Sequence, residues 1–137
     1  MCEQQASAIA RRYPRMRIAS LRFHWIIPSR THGNSLLNKS SPSSKFVLEH
    51  SRDLWGWVSL HASAKACLLG LTVKEGAWQG HEPFFIVAPN TVVDVDSEEL
   101  CGKVYPEVKD FRRAWNKNSS FFDCTKAEAV LGWHGGD

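Results

Sequence analysis

The chain has 137 residues, of which 43% are hydrophobic and 23% charged, a size and balance typical of one globular domain with its own core. Its formal net charge at pH 7 is only +3, and the basic residues are scattered, which speaks against a nucleic-acid partner. No apolar run is long enough to span a membrane and no signal-peptide pattern opens the chain, so we expect a cytoplasmic protein without a membrane partner.

The first predicted elements are a helix and a strand. Cys2–Arg12 is rich in helix-tolerant residues and ends before Tyr13 and Pro14, because the residue before a proline avoids the helical region. This helix has no N-cap signal, so we expect further structure to precede it. Arg17–Ile27 is rich in β-branched and aromatic residues, which predicts a strand buried on both faces, as in a parallel sheet.

The composition changes at Ser29–Ser44, where serine, asparagine, lysine and glycine replace the apolar residues. This pattern predicts an irregular and exposed loop. A functional lid is one interpretation, but loop-length statistics favour an insertion without fixed structure. Phe46–His50 adds a short helical turn.

The second half of the chain alternates helices and strands. Leu54–Val58 is apolar and holds two tryptophans, and a helix is predicted over His61–Thr72. The apolar side of this helix consists of Ala62, Ala66, Leu69 and Leu71. Glu82–Ala88 contains Phe-Phe-Ile-Val, which predicts a buried strand.

Two N-cap signals mark later helices. Asp96, followed three residues later by Glu99, predicts a helix over Ser97–Val104. Thr125 and Glu128 form a T-x-x-E capping box, in which the threonine hydroxyl takes a free N–H and the carboxylate reaches back to the cap.

The helix that begins at this capping box ends in a recognisable way. Gly132 stands where a left-handed residue terminates a helix, and Trp133 follows where it can pack back on the last turn. We therefore expect a helix that ends near Leu131 and a largely buried Trp133.

The last stretch has the residue pattern Asp-x-[Ser/Thr]-Lys-Ala-x-x-x-Leu-Gly-Trp. This pattern resembles a segment near the C-terminus of extended short-chain dehydrogenases/reductases, the NAD(P)-dependent epimerase/dehydratase family. The match consists of Asp123, Thr125, Lys126, Ala127, Leu131, Gly132 and Trp133. Three earlier stretches resemble family segments in the same order along the chain. They are Leu21–Pro28, Trp57–Ala66 and Gly80–Ala88.

The resemblance implies an α/β fold, made of the C-terminal portion of a Rossmann-type NAD(P)-binding fold plus the small substrate-binding domain. Residues 1–28 would supply the last helix end and strand of the Rossmann-type domain. Residues 29–45 would be a flexible loop or insertion, and residues 46–137 the substrate-binding domain.

Two motifs of the family are absent from the sequence. The nine glycines form no G-x-x-G-x-x-G or G-x-G-x-x-G turn to hold a pyrophosphate. By the resemblance, the lysine of the catalytic Tyr-x-x-x-Lys pair would fall just upstream of Met1. Tyr105 and Lys109 have the same spacing, but Pro106 interrupts the helix that would place them on one face. We therefore expect no catalytic residue here, as in a truncated gene product.

His24 and Trp25 are the candidate site residues. In the family the strand end at these positions faces the nicotinamide and the substrate, so the resemblance assigns cofactor contact to His24 and substrate contact to Trp25. Trp25 replaces an asparagine that binds a nucleotide sugar, and an indole has one donor and no acceptor, which favours a smaller or more apolar carbonyl substrate. Both residues equally fit the core of a buried strand.

The cysteines predict no metal site. A zinc site needs ligands that converge at short spacing, and the four cysteines are far apart without a C-x-x-C pair. They are Cys2, Cys67, Cys101 and Cys124.

The expected parent activity is NAD(P)-dependent epimerase, dehydratase or ketone-reductase chemistry on a small-molecule substrate, an oxidoreductase-type function. NAD or NADP would serve the parent, and neither is expected to bind this chain alone. By the resemblance, the parent would be a homodimer formed through the helix that ends with Cys2–Arg12. The alternative is a non-catalytic protein of the same fold that binds a nucleotide or a partner.

Overall fold

The computed structural model describes residues 2–37, 45–111 and 114–135, which form a mixed α/β structure. The elements follow in chain order as helices α1 to α6, strands β1 to β4 and one 3-10 turn. They are α1 (Cys2–Arg12), β1 (Ile18–Phe23), β2 (Trp25–Ile27), α2 (Arg30–Leu37), α3 (Lys45–Glu49), the 3-10 turn (His50–Asp53), β3 (Trp57–Ser59), α4 (Leu60–Thr72), β4 (His81–Ile86), α5 (Ser97–Val104) and α6 (Thr125–Leu131).

The four strands form two small parallel pairs. β1 pairs with β4, with Ile18 opposite His81, and β2 pairs with β3, with Trp25 opposite Trp57. The predicted strand over Arg17–Ile27 is therefore confirmed as parallel, but it is broken at one residue, where the chain changes partner strand.

The predicted burial of that strand on both faces is wrong for the described chain. The β1 side chains are half-buried, apart from an exposed Arg22. Within the described residues β1 has a single partner strand, so one of its edges and part of its surface have no neighbour.

Two hydrophobic cores lie on either side of this strand change. The first surrounds Trp55 and joins β2, α2, α3, α5 and the segment after β4; its buried members are Ile27, Leu37, Val47, Trp55, Trp57, Ala88, Val92, Val93, Val95 and Leu100. The second joins β3, β4, α4 and α6; its members are Val58, Ala62, Ala66, Trp78, Phe84, Ile86, Ala127, Leu131 and Trp133.

The prediction of an irregular, exposed loop is wrong over Arg30–Leu37, which is helix α2 and buries Leu37. Arg30 anchors this helix, because its guanidinium donates to the carbonyl oxygens of Thr91 and Val93, each at 2.7 Å. These contacts join distant parts of the sequence, so composition alone does not reveal them. The remainder of the predicted loop, residues 38–44, lies outside the described residues.

The predicted helices of the second half are confirmed. The side chain of Asp96 accepts hydrogen bonds from the N–H groups of Glu98 and Glu99 at the start of α5. In α4 the cap is Ser59, whose hydroxyl accepts from the N–H of Ala62 at 3.0 Å. Leu71, which we assigned to the apolar inner side of α4, is instead exposed.

The end of α6 is as predicted, and its start is not. Gly132 adopts a φ of 67°, and Trp133 is fully buried, with its indole N–H donating to the carbonyl oxygen of Ala62 at 2.9 Å. The predicted capping box is wrong, because Thr125 is the first helical residue. Its N–H and hydroxyl both donate to the Asp123 carboxylate, which satisfies the first turn from outside the helix.

In the described part of the chain, no helix has both the length and the apolar character needed to cross a membrane. The same residues contain no cluster of three or more histidine, cysteine or acidic side chains arranged to hold a metal ion.

Candidate functional site

The candidate site is a pocket of about 460 Å³ at the carboxyl end of β1, where the chain passes from one parallel pair to the other. Open α/β sheets bind their ligands beyond the carboxyl ends of their strands. The lining residues come from the β1–β2 junction, the 3-10 turn, the segment before β3 and the segment after β4. They are Phe23, His24, Trp25, His50, Asp53, Trp55, Gly56 and Val92.

The His24 ring is held in place by two neighbours. It packs against the Phe122 ring at 4.2 Å between centroids, with the two planes 46° apart. Gly56 lies against both rings, because an added Cβ there would come within 3.0 Å of the His24 Cγ and 2.9 Å of the Phe122 Cε2. A glycine is therefore required at position 56 if the imidazole is to keep this position.

Burial lowers the pKa of His24 below its usual value, and the nearby Asp53 carboxylate opposes that shift without cancelling it. The neutral imidazole is therefore the main form at pH 7. A neutral ring has one donor and one acceptor nitrogen, so it can both give and take a hydrogen bond in the pocket.

Trp25 forms a flat wall of the same pocket. Its indole stacks on the His50 ring, with 5.6 Å between centroids and only 16° between the planes. Next to them, the buried Trp55 is fixed by a hydrogen bond from its indole N–H to the carbonyl oxygen of Val47 at 2.7 Å. The pocket thus offers aromatic faces to a planar ligand.

The turn that leads into Gly56 has an unusual backbone. Leu54 and Trp55 adopt φ values of 50° and 52°, in the left-handed region that branched or bulky side chains rarely enter. Hydrogen bonds across the turn hold this conformation, including one from the Leu54 N–H to the Ser51 carbonyl oxygen at 2.9 Å. Backbone strain of this kind is frequent beside binding sites, where it fixes the direction of a side chain.

The structure brings both sequence-predicted site residues, His24 and Trp25, into this one pocket. Sequence reasoning missed His50 and Asp53, which reach the pocket through the 3-10 turn. The sequence predicted a short helical segment, Phe46–His50, at the start of this turn. No sequence pattern indicated that the turn would lie near the end of β1.

The Tyr105 and Lys109 spacing is not a site. Helix α5 ends at Val104, and the Tyr105 hydroxyl donates to the carbonyl oxygen of Ser51 at 2.6 Å. The tyrosine therefore joins α5 to the 3-10 turn. The helix ends before Pro106, as the sequence predicted.

A second cavity adjoins the first. Phe122, whose ring packs on His24, also lines a larger and more apolar space of about 640 Å³. Phe111, Trp115 and Phe121 form its aromatic walls, with the rings of Trp115 and Phe121 edge to face at 5.0 Å.

Comparison with known proteins gives no further indication. No protein-family model matches the chain, and neither the curated proteins nor the solved structures contain a significant match.

Proposed function

We propose that this chain corresponds to the C-terminal part of an NAD(P)-dependent epimerase/dehydratase of the extended short-chain dehydrogenase/reductase family, and that the His24–Trp25 pocket is the substrate side of its active site. In this proposal β1 and β4 are neighbouring strands of a Rossmann-type sheet. One observation carries it: His24 and Trp25 line one pocket at the carboxyl end of a parallel strand, where such sheets bind ligands.

The pocket fits the flat nicotinamide end of the cofactor and does not fit its phosphates. Its walls are aromatic faces and a neutral imidazole, and no lysine or arginine is among the residues that line it. A pyrophosphate site needs a glycine turn at a helix N-terminus, which the sequence lacks. His24 would therefore contact the nicotinamide ring, and the phosphates would be held by another part of the parent enzyme.

The same walls favour a small carbonyl compound with an apolar body as the substrate. The half-buried Trp25 offers apolar area, whereas the polar groups of the pocket are the imidazoles of His24 and His50 and the carboxylate of Asp53. A neutral His24 can donate one hydrogen bond to a carbonyl oxygen and so orient it. A nucleotide sugar would need more polar partners than this wall supplies.

The alternative is a non-catalytic protein of the same fold that binds a nucleotide or another partner. The absence of a Tyr-x-x-x-Lys pair along one helix of the described chain is consistent with it. Both proposals share this pocket. They differ in whether a longer form of the protein contains the acid/base pair and the glycine turn that this sequence lacks.

Mapping the transcript and reading its sequence upstream of the Met1 codon tests the proposal. We expect an in-frame Tyr-x-x-x-Lys motif, preceded by a glycine-rich turn. An in-frame stop codon close upstream, with transcription starting between it and Met1, would overturn the enzyme proposal and leave the non-catalytic alternative.

A further inference from the structure

The outer face of α4 is apolar and uncovered in the described chain. Leu60, Leu68 and Leu71 are 58%, 59% and 83% exposed, and Ala64 and Cys67 beside them are exposed as well. The opposite face of the same helix is buried through Ala62 and Ala66. Contiguous apolar surface of this kind often marks a contact with another protein chain, so this face is a candidate interface.

The outer face has the spacing of a coiled-coil seam. Leu60, Ala64, Cys67 and Leu71 follow one another at intervals of four, three and four residues, the alternation that keeps side chains on one line along a helix. Leu68 lies directly beside this line. The seam is thus a single straight row over the whole length of α4.

The row also reads the same in both directions, with a leucine at each end and a small side chain at each inner position. If two copies of α4 pack antiparallel about a two-fold axis, Leu60 meets Leu71 of the other copy and Ala64 meets Cys67. Large residues then meet large ones at the ends and small residues meet small ones at the centre, where the helices approach most closely. This self-complementarity is what an isologous interface requires.

The charges on α4 are compatible with a second copy as the partner. The seam contains no charged side chain that an acidic or basic partner could match. His61 and Lys65 are one position outside it and exposed, so their polar ends can remain in water when the seam is covered.

We propose that the chain self-associates through α4 as an antiparallel, two-fold symmetric helix pair. This surface differs from α1, through which the family resemblance implies dimerisation of the parent, and the proposal does not depend on the enzymatic one. A helix of this length is about 20 Å long and covers less than the roughly 800 Å² per partner of a standard interface. The dimer is therefore weak, with an expected dissociation constant of about 10–100 µM.

Sedimentation velocity from about 5 µM to about 500 µM tests the association, because that range brackets the expected dissociation constant. We expect the wild type to pass from monomer to dimer. Leu71→Glu should weaken the dimer about tenfold or more, because it places a carboxylate in an apolar seam. Leu36→Glu is the matched control, since Leu36 is also an exposed leucine (56%) but lies on α2, and it should dimerise like the wild type.

A charge-pairing variant tests the antiparallel register itself. Leu60→Glu alone should weaken the dimer, whereas the double variant L60E/L71K should recover most of the lost association, because each new carboxylate then faces a new ammonium of the other copy. In a parallel pair like charges would meet, and the double variant would dissociate further. Circular dichroism confirms that each variant is folded.

Trapping by disulfide formation gives a reading at low concentration. In a Cys2→Ser background, Ala64→Cys should give a covalent dimer on mild oxidation, with position 64 linked to Cys67 of the other copy in the peptide map. In the unmodified seam the exposed Cys67 faces Ala64 of the other copy, so far less covalent dimer should form. A wild type that stays monomeric throughout, a double variant that is not rescued, or a trapped dimer without the 64–67 link would each overturn the proposal.

Discussion

At the scale of single residues, Gly56 leaves room for the His24 and Phe122 rings beside the pocket. It lies against both rings, at a place where no side chain fits without moving one of them. Sequence reasoning singled out His24 and Trp25 because a strand and a family pattern ended there. It did not find Gly56, because the need for a glycine arises only when three distant segments meet.

We expect Gly56→Ala to destabilise the protein by about 1–3 kcal/mol, because its methyl group would lie 2.9 Å from Phe122 and 3.0 Å from His24. Gly102→Ala is the matched control. Gly102 lies in helix α5 with nothing within 4 Å of an added Cβ, and the change should stabilise by up to about 1 kcal/mol through helix propensity. Urea unfolding of both variants measures the difference. Equal effects would mean that position 56 has room for a side chain.

His24 should make stability depend on pH. Its pKa is lowered in the folded chain, so the unfolded chain binds the proton more readily, and stability falls as the pH drops through the unfolded value of about 6.5. Above that value the effect is absent, because both states are neutral. We expect the wild type to lose more stability than His24→Gln between about pH 7.5 and about pH 5.5.

The check is a comparison of slopes between the two proteins, since only the contribution of His24 differs between them. Urea unfolding at each pH gives the slope, and NMR of the imidazole protons gives the pKa of His24 directly. A His24 pKa at or above about 6.5, the value of an unperturbed histidine, would contradict the expectation.

At the scale of elements, α6 is stabilised more by its contacts with the rest of the fold than by its own sequence. It has only seven residues, fewer than an isolated helix needs in water. Trp133, just beyond its end, is fully buried and bonded to α4, which joins the two helices across the second core. The helix therefore depends on the tryptophan that follows it.

Trp133→Ala should accordingly cost about 3–5 kcal/mol, the sum of a large cavity and a lost hydrogen bond. The next residue, His134, is exposed, and His134→Ala should change stability by less than about 0.5 kcal/mol. Thermal unfolding followed by circular dichroism distinguishes the two. A small effect of the Trp133 substitution would show that α6 is stable without this contact.

The sequence predicted the elements that neighbouring residues stabilise and missed those that distant residues stabilise. The bounds of α5 were predictable because Asp96 and its N–H partners are neighbours in the chain. Helix α2 was missed because it is held by Arg30 and by Gly33, where an added Cβ would be 2.4 Å from the Ile27 side chain. Local chemistry can be read from sequence, whereas anchoring by distant segments cannot.

At the scale of the whole molecule, the proposed function implies that the described chain would supply only a small part of a cofactor site. Under the proposed function the nicotinamide end would touch His24, and the phosphate and ribose contacts would belong to a glycine turn and a second strand that this sequence lacks. Each parallel pair also leaves strand edges without a partner in the described residues, which favours association with other strands.

We therefore expect the isolated chain neither to bind NADH or NADPH in the micromolar range nor to catalyse turnover. Titrating each dinucleotide while following tryptophan fluorescence measures this, since Trp25 and Trp55 line the pocket. His24→Gln is the control for any signal that does occur, because specific binding should weaken in it. Saturable micromolar binding by a monodisperse sample would show a cofactor site outside the family pattern.

The change of strand partner at His24 has a consequence for the order of folding. Pairing β2 with β3 closes a loop of roughly thirty residues, and pairing β1 with β4 closes one of roughly sixty, which costs about 0.6 kcal/mol more. Because β1 directly precedes β2 in the chain, pairing β2 with β3 also brings β1 nearer to β4. This removes most of the extra free-energy cost of closing the longer loop. We expect the β2–β3 pair to be formed in the folding transition state and the β1–β4 pair to complete later, and φ-values for substitutions in the two pairs measure this order.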